Sequence, residues 1–219
     1  MQAQDRHRVI AIDGPAASGK SSVARELARR LKFVYVNSGA MYRAITWSVL
    51  NAGIDPADKD RIVELVRKLS FGGKLADFKF HLLIDDVDLT EHLHDDRVNA
   101  EVSRVSTVSE VRKVVVQAVR DCALKHEVVV EGRDIGSVVF PDTRFKFYID
   151  ASPEVRAQRR AAQGHRDEIA RRDQADSSRV ASPLIVAKDA EVIDTSNLTV
   201  DHVVDEIVKR LKHKGFVAS

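Results

Sequence analysis

One segment near the start of the chain has the residue types and spacing of a phosphate-binding loop. It fits the pattern G-x-x-x-x-G-K-[ST], and the residues predicted to contact ATP are Gly14, Pro15, Ala16, Ala17, Ser18, Gly19, Lys20, Ser21 and Ser22. Glycines let the backbone curl so that its N–H groups face a phosphate, while the lysine reaches the β- and γ-phosphates. The Ser21 hydroxyl is a predicted Mg²⁺ ligand. The segment predicts binding of ATP or GTP with Mg²⁺.

The segments on either side have the pattern that such a loop requires. Residues 8–13 form a short apolar run that predicts a buried strand, and residues 18–31 have the pattern of a helix. A helix that leaves the loop directs the positive end of its dipole toward the phosphate. Because a chance match in a glycine turn would lack this strand–loop–helix context, the context favours nucleotide binding.

The order of the predicted elements indicates the fold class. Further strands are predicted at 33–36, 78–84, 87–89, 127–131, 144–150 and 191–194, and further helices at 40–51, 58–69, 95–125 with a break near 107–109, 156–176 and 201–212. Ser152-Pro153-Glu154 predicts a helix start, with a cap, a proline in the first turn and an acidic residue after it. Alternating strands and helices predict an α/β fold with a parallel sheet flanked by helices. The strands at 78–84 and 87–89 interrupt this alternation and predict a hairpin that turns at Asp85-Asp86.

Composition and charge exclude several classes of protein. The chain has 219 residues, with 35 lysines and arginines against 33 acidic residues, and its net charge is +2. This balance does not indicate non-specific nucleic-acid binding, and the single cysteine, Cys122, excludes a disulfide framework. The first residues are polar, and no apolar run approaches the length of a membrane span. We expect a cytoplasmic monomer that binds neither nucleic acid nor a membrane.

The rest of the sequence narrows the class of nucleotide-binding protein. The Asn-Lys-x-Asp motif with which GTPases read guanine is missing, and the strand at 127–131 continues as Gly-Arg-Asp. Arginines near element ends would offset the charge that develops during phosphoryl transfer. They are Arg43, Arg133, Arg156, Arg159, Arg160, Arg172 and Arg179. These residues favour a small kinase that acts on a small acceptor.

Three further segments resemble the bacterial cytidylate kinases in order and spacing. They are Ser38-Gly39-Ala40-Met41-Tyr42-Arg43, residues 131–141 (EGRDIGSVVFP), and Arg172-Asp173 through Asp176 and Arg179 to Ser182-Pro183-Leu184. The resemblance covers nearly the whole chain, and the G-R-D-[IM]-G-[ST]-V-V-F-P stretch is specific to that family among nucleoside monophosphate kinases. It implies the reaction of ATP with CMP or dCMP to give ADP and CDP or dCDP, with Mg²⁺ accompanying ATP.

The resemblance also implies an architecture and a set of site residues. It implies a three-layer phosphate-loop kinase fold over residues 1–219, with a monophosphate-binding insertion at about 71–105 and a short lid at about 157–176. Catalytic roles are implied for Lys20, Arg159 and Arg172. The implied CMP-binding residues are Ser38, Arg43 and Arg133 at the phosphate, Ser103, Arg112 and Asp134 at the cytosine, and Arg172, Asp176 and Arg179 at the ribose and phosphates.

One pair of positions departs from the family pattern, and two other functions stay open. Most of the family has Asp where this chain has Asn37, whereas Glu131 stands where some relatives have Asp, so Glu131 could supply the charge that Asn37 lacks. The first alternative is another small phosphate-loop kinase, of the UMP, AMP or shikimate type. The second is a non-catalytic nucleotide-dependent switch or nucleic-acid-binding module.

Overall fold

A computed structural model describes residues 8–162 and 184–217. The chain divides into two compact units, one of residues up to 35 and from 126 onward, and one of residues 36–125. In chain order the elements are β1 (Val9–Asp13), α1 (Lys20–Leu31), β2 (Val34–Asn37), α2 (Ser38–Asn51), α3 (Lys59–Lys68), β3 (Phe71–Ala76), β4 (Lys79–Ile84), β5 (Val87–Asp88), α4 (Asp96–Val105), α5 (Ser109–Lys125), β6 (Val128–Gly132), β7 (Phe145–Asp150), α6 (Pro153–Ala162), β8 (Glu191–Asp194) and α7 (Val200–His213). A short helical turn, Thr90–His92, precedes α4, and a one-turn π-helix, Ile135–Val139, follows β6.

The first unit is built on a sheet in which β1 lies in the middle. The strands follow the order β2-β6-β1-β7-β8, and β1 is parallel to both β6 and β7. Asp13 at the end of β1 is in register with Gly132 of β6 and Tyr148 of β7. These strands therefore end at one edge of the sheet, where the loops that follow them converge.

The apolar residues of the first unit pack the sheet against two helices. Ile10, Ile12, Phe147 and Ile149 of the sheet pack in one core cluster with the apolar stripes of α1 and α7. Ser152 accepts a hydrogen bond from the N–H of Val155, so α6 begins with the cap that the sequence predicts. The prediction of an α/β fold with a parallel sheet flanked by helices is confirmed.

The second unit combines helices with three antiparallel strands. Helix α2 packs against α4 and α5, and β4 pairs antiparallel with both β3 and β5. The predicted turn at Asp85-Asp86 is present, and both residues have positive φ, as a tight hairpin requires. Strand β3 was not predicted, because Gly72 and Gly73 lower its β-propensity and its stability depends on pairing with β4.

The predicted domain boundaries stay predictions. The insertion predicted at about 71–105 falls within the second unit, and residues 163–176 of the predicted lid lie outside the described residues. Among the described residues, none of the helices is long and apolar enough to cross a membrane.

Candidate functional site

The phosphate loop, residues 14–21, connects β1 to α1 as predicted. A Cβ atom at Gly14 would collide with the carbonyl oxygen of Ile149, and Gly19 has a φ of 90°. Both positions therefore require glycine. Lys20 is the first residue of α1, and its ammonium donates a hydrogen bond to the carbonyl of Pro15 at 2.9 Å. The lysine thus folds back across the loop, where a phosphate would lie.

A buried carboxylate lies beside the predicted magnesium ligand. The hydroxyl of Ser21 donates a hydrogen bond to Glu131 Oε2 at 2.7 Å, and the hydroxyl of Tyr35 donates to Glu131 Oε1. Glu131 is the second-last residue of β6 and is only 2% exposed. A hydroxyl next to a fixed carboxylate is an oxygen-rich pair of the kind that Mg²⁺ and its bound waters prefer. The residues present therefore fit the expected ion.

The segment that follows β6 is bound to the beginning of the phosphate loop. Asp13 accepts hydrogen bonds from the backbone N–H groups of Ile135 and Gly136, at 2.8 and 2.7 Å. Arg133 donates to the carbonyl oxygen of Gly14 at 2.8 Å. Asp134 lies between these contacts and is 5% exposed. The predicted CMP-binding residues Arg133 and Asp134 are thus brought to the same edge of the sheet as the phosphate loop.

Burial changes the acidity of Asp13. The side chain is removed from water, which raises its pKa from 3.8 to about 6, although the two backbone N–H groups favour the charged form. The nearby carboxylate of Asp134 raises the pKa further, and Lys20 lowers it. Asp13 therefore carries its charge at neutral pH but takes up a proton in mild acid.

This shift predicts a pH dependence of stability. Because the pKa of Asp13 is higher in the folded chain than in the unfolded chain, its stabilising contribution is complete below pH 3.8 and is lost as the pH rises through 6. In urea denaturation, the free energy of unfolding of the wild type relative to Asp13→Asn should fall by up to about 3 kcal/mol over this range. A difference that stays constant with pH would contradict the shift.

Two arginines of α6 donate hydrogen bonds to backbone carbonyls of the phosphate loop. Arg159 donates to the carbonyl oxygens of Ser18 and Thr195, at 3.2 and 2.7 Å, and to the Thr195 hydroxyl at 3.1 Å. Arg156 donates to the carbonyl of Ala151 and, at 3.5 Å, to that of Ala16. Arg159 is therefore engaged with the loop backbone in this structure, and its predicted contact with the transferred phosphoryl group stays a prediction.

The N-terminus of α2 in the second unit brings together a hydroxyl, an amide and a guanidinium. Ser38 is the first residue of the helix and is 5% exposed. Asn37 caps the helix by accepting a hydrogen bond from the N–H of Ala40 at 2.9 Å. A Cβ atom at Gly39 would lie 3.1 Å from Nη1 of Arg43, so the glycine lets this guanidinium approach the helix start. Ser38 and Arg43 thus form a cationic, N–H-rich corner suited to a phosphate.

The other predicted CMP-binding residues of the second unit are on helices that pack against α2. Arg43 donates to the side-chain oxygen of Asn99 on α4 at 3.3 Å, and Ser103 lies one helical turn after Asn99. Arg112 of α5 is 8% exposed, with its guanidinium 5.9 Å from the ring centre of Tyr42. Arg172, Asp176 and Arg179 lie outside the described residues.

Sequence reasoning missed several residues that hold the site. Tyr35 donates a hydrogen bond to Glu131, and Thr195 accepts one from Arg159. Asp13 binds the backbone N–H of Ile135, the residue after the predicted site residue Asp134. An acidic residue between a buried strand and the first glycine of the loop was a usable signal for Asp13. Tyr35 and Thr195 gave no such signal, because their partners are distant in the sequence.

Known proteins resemble the chain in fold and in sequence. The crystal structure of TT1252 from Thermus thermophilus matches 97% of this chain and all of that chain with a TM-score of 0.51, but at 15% identity it shows the fold alone. The cytidylate kinase of Corynebacterium efficiens is 44% identical over 92% of this chain and 93% of its own length, and that of Clostridium tetani is 40% identical over 93% of each. The family model for cytidylate kinase matches residues 10–213, and the chain therefore belongs to the cytidylate kinase family.

Proposed function

We propose that this protein transfers the γ-phosphoryl group of ATP to CMP or dCMP. The observation that carries the proposal is the direct attachment of the Arg133-Asp134 segment to the phosphate loop, through Asp13 and through the Gly14 carbonyl. This segment belongs to the stretch that is specific to the family, and it adjoins the loop that would hold ATP. Family membership and relatives that are named cytidylate kinases support the same reaction.

The side chains of the first unit suit phosphoryl transfer. A phosphate oxygen of CMP attacks the γ-phosphorus, the bond from that phosphorus to the β,γ-bridging oxygen breaks, and ADP leaves. Lys20 offsets the charge that develops on the β- and γ-phosphate oxygens, and the loop N–H groups orient them. Arg133 supplies a further cation at this edge of the sheet. In the second unit, Ser38 and Arg43 offer a hydroxyl and a guanidinium for the acceptor phosphate.

Ser21 and Glu131 would hold Mg²⁺ with its waters. The ion, when bound, would neutralise part of the charge on the phosphate groups of ATP. Glu131 accepts hydrogen bonds from the hydroxyls of Ser21 and Tyr35. It can therefore orient the Ser21 hydroxyl and the waters of the ion. Asn37 caps α2 and carries no charge, so we infer that Glu131 is the carboxylate that serves the ion in the first unit.

Glu131→Gln should weaken magnesium binding. The amide keeps the size of the side chain but removes its charge, so the Mg²⁺ concentration for half-maximal rate should rise by roughly tenfold or more. Initial rates at fixed ATP measure this, and Mn²⁺ serves as a spectroscopic probe of binding. Glu127→Gln, which changes a carboxylate paired with Arg8 just before the same strand, is the matched control. An unchanged metal requirement in Glu131→Gln would contradict this role.

The choice of acceptor tests the proposed function. An assay that couples ADP release to a colour change is run with CMP, dCMP, UMP, AMP, GMP and shikimate at matched concentrations. CMP and dCMP should give the highest kcat/KM. A preference for UMP, AMP or shikimate would favour another small kinase, and ADP release that no acceptor stimulates would favour a nucleotide-dependent switch.

A further inference from the structure

The carboxylate of Asp13 binds a segment that lies more than a hundred residues later in the sequence. It accepts two consecutive backbone N–H groups, those of Ile135 and Gly136, and it is 5% exposed. We propose that Asp13 is a positioning residue, which holds the Arg133-Asp134 segment in place for recognition of the cytosine nucleotide. This inference rests on the proposed function and adds to it a residue that touches no substrate.

The chemistry of the contact requires a carboxylate. Two oxygens accept two parallel N–H donors, and a charged acceptor makes hydrogen bonds about twice as strong as a neutral one. An amide offers one oxygen, so Asp13→Asn would leave one of the two N–H groups facing an NH₂ group in a buried site. The segment would then lose one of the bonds that fix it to β1.

The surroundings of Gly136 show how closely this segment is fitted. A Cβ atom there would lie 3.3 Å from Asp13 Oδ2 and 3.1 Å from Cδ of Lys146. The ammonium of Lys146 is fixed by Asp189 and by the carbonyl of Pro141, at 2.7 and 2.6 Å. Neither neighbour can move away without breaking these bonds, so a displacement of residues 135–136 would be transmitted to Asp134 next to them.

The hydrogen bonds of Asp13 go to the segment that we propose binds CMP, and not to the loop that would bind ATP. Asp13 accepts both of its backbone hydrogen bonds from the segment after β6, whereas ATP would be held by the loop N–H groups and Lys20. The electrostatic interaction of Asp13 with Lys20 is weaker than either of these hydrogen bonds. A positioning role therefore acts on the nucleotide monophosphate. General damage to the fold would instead raise the KM values of both substrates.

Steady-state kinetics of Asp13→Asn test the proposal at a pH near 8, where the wild-type carboxylate is charged. The KM for CMP should rise roughly fivefold to tenfold, as the loss of one buried hydrogen bond implies, and the KM for ATP should stay within about twofold. The ratio of kcat/KM for CMP to that for UMP should fall as well, because Asp134 would be displaced. Asp194→Asn is the matched control, since Asp194 also ends a strand and accepts a backbone N–H, from Ser196, but at the surface.

Two further variants keep the test decisive. In an Asp134→Asn background the effect of Asp13→Asn on KM for CMP should shrink, because both changes act on one contact. If Asp13→Asn does not fold, Gly136→Ala should produce the same selective rise in KM for CMP. Equal effects on CMP and ATP, or an undiminished effect in the Asp134→Asn background, would overturn the proposal. A wild type that does not phosphorylate CMP would instead overturn the proposed function.

Discussion

Lys20→Ala is expected to lower kcat by a factor on the order of 10²–10³, the loss seen when one preorganised charge donor is removed from a transition state. Lys20 begins α1 and lies across the phosphate loop, with its ammonium 2.9 Å from the Pro15 carbonyl. No other lysine belongs to this loop, so its charge has no replacement there. Initial rates with saturating ATP and CMP measure the change.

The fold should survive the loss of Lys20. A loop cation contributes little to a hydrophobic core, so circular dichroism should match the wild type. Lys209→Ala, at an exposed position of α7 in the same unit, is the matched control and should keep wild-type kcat. Near-normal turnover by Lys20→Ala would show that the loop does not carry out phosphoryl transfer.

Asp134→Asn is expected to lower the preference for CMP over UMP by tenfold or more. A carboxylate accepts a hydrogen bond from the N4 amino group of cytosine, whereas uracil presents an oxygen at that position. Two acceptors then face each other in a site where Asp134 is 5% exposed, and such a mismatch costs about 1–3 kcal/mol, which corresponds to about fivefold to 150-fold. An amide can turn its NH₂ group toward the uracil oxygen.

The comparison of kcat/KM for the two substrates separates this role from a structural one. If Asp134 only supports the turn after β6, both substrates should lose activity alike. Asp142 is an exposed residue shortly after the same turn, and Asp142→Asn should leave the ratio unchanged. An unchanged ratio in Asp134→Asn, with activity still measurable, would remove Asp134 from base recognition.

Local sequence patterns, such as motif spacing and helix-capping residues, account for the elements that were predicted correctly. The phosphate loop follows from spacing and from its apolar strand, and β8 lies at the predicted residues 191–194. Helix α6 begins where Ser152 and Pro153 predict a start. Strand β3 escaped prediction because its stability comes from pairing with β4 rather than from its own residues.

The contacts that hold the site depend on long-range packing. Glu131 was noted as a carboxylate that could replace the charge missing at Asn37, but its bonds to Tyr35 and Ser21 join residues about a hundred positions apart. The same is true of Asp13 and the segment after β6. Sequence spacing has no information on such partners, since parallel strands bring distant residues together only after the sheet forms.

The most direct test of the account follows the transferred phosphoryl group itself. The protein is incubated with Mg²⁺, CMP and ATP that is labelled in the γ-phosphate, and the products are separated by chromatography. The label should appear in CDP in proportion to the ADP formed, and Lys20→Ala should form very little of it. Label that appears as inorganic phosphate, or that stays in ATP while CMP is unchanged, would contradict the assignment as a CMP kinase.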